Sequence, residues 1–321
     1  MGISRRKFLK NSSLLLAASA AGPGTGTLVQ EAFAQSSGSA VQILASYWTL
    51  SGAAIPHSDK EYSTFDFRDR VEAMSRVGFK GMGLWHADLA HILEKRSLKE
   101  MKQILDDNGI EHVELEFLND WFVDGEARKK SDELRRFLLD AAEALSARHI
   151  KVGDFDGKKT PMPVLIESFA GLCADAANAG TRVIFELMPI SMINTLEDTL
   201  AMLEGADAKN GGLILDTWHV VKIGIPYAQV ASIPRRFLLG VELDDGYLQA
   251  PNGMDIEEET TGHRQFCGEG EFDIPGFIAA VQETGYDGPF GIEVLNLDLR
   301  TWPLERAVEH AYRTTMAQFQ G

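Results

Sequence analysis

Eight short apolar runs punctuate the chain beyond residue 40: VQILASYW (41–48), KGMGLWH (80–86), HVELEFL (112–118), HIKVGDF (149–155), RVIFELM (182–188), GLILDTW (212–218), LLGVELD (238–244) and FGIEVLN (290–296). Their length and apolar content predict buried strands. Between them, apolar residues recur every three or four positions, as on amphipathic helices. Ser97-Leu98-Lys99-Glu100 reads as a capping box opening a helix with Met101, Ile104 and Leu105 on one face, ended at Gly109. Residues 131–147 repeat the pattern with Leu134, Phe137, Leu138, Ala141 and Leu145. Gly78, Gly109, Gly180 and Gly285 each stand just ahead of a strand, where a helix must end and the chain turn back. Strand-helix alternation means βαβ units and a parallel sheet, and eight such units predict a (β/α)₈ TIM barrel. A doubly wound open sheet competes, but no glycine-rich dinucleotide fingerprint follows the first strand.

Barrel strands bury both faces, so a charge within one needs a reason. Four late strands share a pattern: Phe185-Glu186-Leu187, Leu215-Asp216-Thr217, Val241-Glu242-Leu243 and Ile292-Glu293-Val294. With period-2 alternation the bracketing residues face the helices and the acid faces the barrel interior. One such acid can simply reach water at a strand end. Four together repel one another and lose solvation, and protonation, basic partners or a cation must compensate. A hard divalent cation does so with carboxylate oxygens as ligands. His219, three residues beyond Asp216, is expected to face the same pocket, a helix-capping or surface histidine being the alternative. Lys151, between Ile150 and Val152, either points inward to pair with the acids or snorkels outward. Glu116 and Glu114 share a face of the third strand, and sequence does not choose between them. Trp48, Trp85, Trp121 and Trp218 lie near strand ends, where aromatic faces stack on sugar rings or merely complete a core.

The N-terminus carries an address. Ser4-Arg5-Arg6-Lys7-Phe8-Leu9-Lys10 matches the twin-arginine export signal. The apolar stretch Leu14–Ala21 is too short to span a bilayer, and Ala32-Phe33-Ala34 offers a small-x-small cleavage site. The expected organisation is a signal peptide over 1–34 and one barrel domain over 35–321, exported to the periplasm by the twin-arginine machinery. The 1–34 segment holds four basic residues against one acidic residue, so removing it takes the formal charge from −16 to −19. That balance argues against nucleic acid and against anionic membranes as partners. The two cysteines, Cys173 and Cys267, have no metal or redox spacing and are expected to be unpaired, Cys173 in the core. Oligomeric state is not legible.

The late strands resemble the xylose isomerase-like superfamily, TIM barrels of the sugar phosphate isomerase/epimerase type. The resemblance covers essentially all of the chain beyond the signal. It rests on FELMP with Glu186, LILDTWH with Asp216 and His219, VELDDG with Glu242, and GIEVLN with Glu293. It implies one divalent cation held by Glu186, Asp216, the residue at 242, and Glu293. The family usually has histidine where this chain has Glu242. A fourth carboxylate favours Mn²⁺, with Mg²⁺ or Co²⁺ as alternatives, over Zn²⁺. The segment TGHRQFCGEGEFD (261–273) resembles the family's R-x-x-x-G-x-G-x-hydrophobic-D stretch. There Arg264 or His263 would reach the pocket, Gly268 and Gly270 would shape the turn, and Asp273 would cap the next helix.

The implied chemistry is proton abstraction beside a carbonyl, with Glu186 and Glu293 as the acid/base pair. His219, Lys151, Glu116, His263, Arg264, Trp48 and Trp85 are the candidate substrate contacts. Reprotonation gives a sugar isomerase or epimerase, and loss of a β-substituent gives a dehydratase or lyase on a keto-sugar, keto-glycoside or keto-inositol. Export and the acidic chain point to a neutral keto-sugar or polyol derivative rather than a sugar phosphate. The related abasic-DNA nucleases need many histidines and a basic groove, which eight histidines and this charge do not supply. A non-catalytic exported carbohydrate-binding protein is the remaining alternative.

Overall fold

The structure, a computed structural model, describes residues 41–320. The export signal and its cleavage site lie outside these residues. Among the described residues no helix is long and apolar enough to cross a membrane.

All eight expected strands form: β1 (Ile43–Ala45), β2 (Gly81–Trp85), β3 (His112–Leu118), β4 (His149–Val152), β5 (Val183–Glu186), β6 (Gly211–Asp216), β7 (Leu238–Leu243) and β8 (Phe290–Ile292). They pair in parallel in chain order, and β1 closes on β8 through Ile43–Phe290, Leu44–Gly291 and Ala45–Ile292. The result is a closed barrel, not the open sheet, with helices between the strands.

Local chemistry sets the boundaries. Ser97 and Glu100 form both halves of the capping box of helix Leu98–Asp107, and the stripe over 131–147 belongs to helix Gly125–Leu145. Gly78, Gly109, Gly180 and Gly285 all adopt positive φ, 66° to 109°, which residues with a Cβ rarely tolerate. The main core lies between sheet and helices, where Leu115, Phe185, Leu215, Val241 and Ile292 point outward from the strands. Cys173 and Cys267 are buried and unpaired.

The barrel interior is charged, and two glycines make room for that. A Cβ at Gly291 of β8 would come within 2.7 Å of Glu242 Cγ, and a Cβ at Gly83 of β2 would collide with the Glu116 carboxylate. Those strands give up a side chain where a neighbouring strand inserts a long acid.

Candidate active site

Each late strand delivers its acid to the C-terminal mouth, where such barrels build their sites. Glu186 ends β5, Asp216 ends β6, Glu242 lies in β7 beside both Asp216 and Gly291, and Glu293 follows β8 directly. All four are at least 96 % buried. Asp216 does double duty: it is the N-cap of helix Thr217–Ile223 and its Oδ1 accepts the His219 N–H at 3.0 Å. That cap explains why the strand gives way at once to a helix, and why His219 comes round to the pocket.

Two buried cations hold the acids. Lys151 of β4 points inward, and its Nζ donates to both oxygens of Glu242 at 2.8 Å and to Glu293 Oε1 at 3.2 Å. The same ammonium lies 3.4 Å from Glu116 and 3.9 Å from Glu186. Ser46 Oγ adds a hydrogen bond to Glu242 Oε1. Arg264 Nη1 donates to Asp216 Oδ2 and Asp244 Oδ2, each at 2.9 Å, and to Glu293 Oε2 at 3.2 Å. Its guanidinium also sits 5.2 Å over the Trp218 ring.

Above this layer opens a pocket of about 360 Å³, lined by Glu116, Glu186, His219, Arg264 and Glu293 below and by Trp48, Trp85, Phe117 and Phe155 on one side. Lys151, Asp216 and Glu242 lie beneath the floor rather than in the lining. Of the two candidates in the 261–273 loop, the pocket takes Arg264. His263 bridges its backbone to Asn296 and stands outside the lining. Gly268 has φ +81° and Asp273 caps helix Ile274–Glu283, as expected. Gly270 lies against Asp245, where a Cβ would collide. On β3, Glu116 is the acid at the mouth and accepts the Tyr47 N–H at 3.1 Å. Glu114 lies deeper, 3.0 Å from His149. Trp121 departs from the other three strand-end tryptophans, which line the pocket: it packs among Phe122, Phe169 and Phe185 in the core and donates to Gly153 O.

The electrostatics separate the acids. Burial opposes ionisation of Glu186, but Lys151, the His219 hydrogen bond and Arg264 outweigh it and hold the carboxyl at about 2. Burial pushes Glu116 up to about 7 against the pull of Lys151. Burial, then repulsion from Glu293, raises Glu242, and burial, then Asp216, raises Asp244. Glu293 is raised by burial in spite of Lys151. Lys151 also shifts upward: burial alone would lower it, but Glu116, Glu186, Glu242 and Glu293 all stabilise its charge. Both partners of the Lys151–Glu242 pair therefore move up, because the lysine faces four acids while Glu242 faces one lysine and several acids.

The residues fit a divalent cation. Glu186, Asp216, Glu242 and Glu293 each offer an oxygen within 4.8 Å of the others, and Glu186, Asp216 and His219 form an overlapping set. Among the described residues, six acids (Glu116, Glu186, Asp216, Glu242, Asp244 and Glu293) face only Lys151 and Arg264 as full positive charges, so added positive charge is accommodated. The donors are hard oxygens, with one imidazole at hand.

Sequence reading missed Asp244 and Ser46. Asp244 stands two residues beyond Glu242 and so on the same face, a signal present in VELDDG; Ser46 carries no such signal.

Comparison with known proteins agrees with this fold. The chain is 28% identical over 241 residues to a 3-dehydroshikimate dehydratase of Pseudomonas aeruginosa, covering 73% of this chain and 37% of that protein. It thus spans under two fifths of that relative's length. It is 24% identical over 243 residues to an inosose isomerase of Halalkalibacterium halodurans, covering 71% of this chain and 82% of the relative. The crystal structure of an IolI protein with a bound zinc atom superposes with a TM-score of 0.71 at 17% identity, over 86% of this chain and 97% of the other. Residues 71–317 match the family model described as xylose isomerase-like TIM barrel, and the chain belongs to that family.

Proposed function

We propose that the protein is a divalent-metal-dependent isomerase or epimerase of a neutral keto-sugar or cyclic polyol ketone, working in the periplasm after twin-arginine export. The observation that carries this reading is the placement of Glu186 and Glu293. They project from strands three places apart in the ring, both line the pocket, and they offer oxygens within 4.8 Å of each other. Two carboxylates so placed bracket one carbon of a bound substrate, one to take a proton and the other to return it. A divalent ion, Mn²⁺ on the donor set, would be held by Glu186, Asp216 and Glu293 with His219 or Glu242, and when bound would polarise the carbonyl beside that carbon.

The chain's own groups do the rest. Arg264, fixed by three carboxylates, holds Asp216 and Glu293 in place. Lys151 anchors Glu293 from below and sets its rotamer. His219, 3.5 Å from Glu186 and with a buried Nδ1 free of protein partners, is placed to meet a substrate hydroxyl. Trp48 and Trp85 form a wall with ring centroids 5.1 Å apart, a surface for the apolar face of a sugar ring.

The curated similarity favours a second reading, dehydration of a keto acid such as 3-dehydroshikimate. The lining disfavours a carboxylate: Arg264 is its one Lys or Arg among the described residues, and three acids already occupy it. Incubating the Mn²⁺-loaded protein with an inosose, with a neutral ketohexose and with 3-dehydroshikimate, and following products by NMR, separates the readings. A new isomer from a neutral ketone supports the proposal; turnover of 3-dehydroshikimate alone overturns it in favour of the dehydratase.

A further inference from the structure

A second cleft, of about 440 Å³, opens beside the acid pocket at the ends of β2, β3 and β4. Trp85, Phe117 and Phe155 line both spaces, so the two share one aromatic partition. The partition is built firmly. Phe117 stacks on Phe155 at 4.6 Å and 30°, and on Trp85 at 6.1 Å and 23°. Phe117 also rests against Gly153, where a Cβ would come within 2.5 Å of its ring. The outer wall is strapped by Lys158, which bonds Asp120 at 2.8 Å and Asp156 at 2.7 Å and so ties the loop after β4 to the loop after β3.

The cleft differs from the acid pocket in chemistry. Its floor is aromatic, while its edge carries Asn119, Asp120, Glu126, Lys130 and Ser131. The Asn119 side-chain oxygen is buried and accepts no hydrogen bond within the protein, an uncompensated cost unless something supplies a donor. His86 turns Nδ1 to the Phe117 N–H at 3.4 Å, and its ring is part of the lining. An apolar ligand would leave Asn119 unmet, and an anion would meet Asp120 and Glu126 beside the one lysine. A pyranose fits: its C–H face lies on the aromatic rings and its equatorial hydroxyls reach the polar edge.

We propose that this cleft is a second sugar subsite, seating a further pyranose ring of a glycoside whose keto ring occupies the acid pocket. The proposal rests on the keto-sugar reading of that pocket and narrows its substrate class from monosaccharides to disaccharide-sized glycosides.

Calorimetric titration of the wild-type protein with glucose, maltose and cellobiose tests it, alongside turnover of their 3-keto derivatives. At least one disaccharide should bind tenfold or more tightly than glucose. Ala127→Trp, which fills the cleft from helix Gly125–Leu145 without touching the acid pocket, should abolish that preference and leave glucose binding unchanged. Asn119→Ala should weaken the disaccharide alone by about three- to tenfold, as loss of one hydrogen bond does, and carries the test if Ala127→Trp fails to fold. Equal affinity for mono- and disaccharides in the wild type, or a preference surviving both substitutions, overturns the subsite. Disaccharide preference without turnover of any keto-sugar upholds the subsite and defeats the isomerase reading; turnover without preference does the reverse.

Discussion

Lys151 Nζ lies 2.8 Å from both carboxylate oxygens of Glu242, bridging β4 and β7 through the barrel interior. The pair is 91 residues apart in sequence and fully buried. It resolves the problem four inward acids pose: part of the compensation is built into the chain. It also gives the glutamate a second role beside that of a candidate metal ligand. Glu242 anchors the ammonium that holds Glu293 Oε1, and so acts on the pocket from underneath.

Lys151→Met should therefore be strongly destabilising, by about 3–5 kcal/mol, because it leaves a buried carboxylate without its partner. Adding Glu242→Gln to that variant should recover a large part of the loss. Urea denaturation of the three variants reads this directly. An additive double mutant would show that the two side chains do not depend on each other.

The buried acids should cost the metal-free protein stability as pH rises. Glu116, raised to about 7 from its ordinary 4.5, stays protonated in the folded chain where the unfolded chain has ionised. The native state then binds more protons between those values, and stability falls from about pH 4.5 to about pH 7. Glu242, Asp244 and Glu293 act in the same direction. Glu186 acts oppositely, its contribution present above 4.5 and lost as pH falls through about 2, as does Glu114, lowered against burial by His149. His86, His112 and His149, held below their ordinary value by burial, also add stability as pH rises towards 6.5. Between pH 5 and pH 7.5 in chelator, the urea midpoint of Glu116→Gln should rise relative to that of the wild type. The same pH dependence in both proteins would contradict this electrostatic picture.

Chelation should lower the melting temperature at pH 7.5, and Mn²⁺ should restore it. At a hundredfold excess over its Kd a ligand of the folded state adds about 2.7 kcal/mol, a rise of several degrees. Asp216→Asn should weaken that rise. Unchanged melting with Mn²⁺, Mg²⁺, Co²⁺ and Zn²⁺ alike would remove the metal from the account.

Much of this site was legible before the structure. Glu186, Asp216, Glu242 and Glu293 stood out because a strand buried on both faces has no use for a charge, and bracketing by apolar residues fixes which way each points. The strands were legible for a related reason: helix-ending glycines such as Gly78 and Gly180 and the capping box at Ser97 mark where each unit turns. The Lys151–Glu242 pair was not, since β4 and β7 lie across the barrel and no local pattern couples positions so far apart. Nor could sequence divide the tryptophans. A strand-end indole reads the same whether it walls a pocket, like Trp48 and Trp85, or fills the core, like Trp121. The choice of Arg264 over His263 was set by a loop whose course depends on Asp245 pairing with Gln265.

Export should depend on the paired arginines. Arg5→Lys with Arg6→Lys should leave full-length protein in the cytoplasm, while the parent yields a periplasmic form beginning near Gln35. Fractionation and N-terminal sequencing decide it, and normal export of the double variant would count against the signal.

Solvent exchange tests the central claim most directly. A neutral keto-sugar or inosose incubated in D₂O with Mn²⁺-loaded protein should gain deuterium at the carbon beside the carbonyl, whichever product accumulates. Glu186→Gln and Glu293→Gln should each slow that exchange by about 10²–10⁴-fold, as loss of a general acid or base does. Exchange unaffected by both substitutions, or none from the wild type with any neutral ketone it binds, would contradict proton abstraction between these two glutamates.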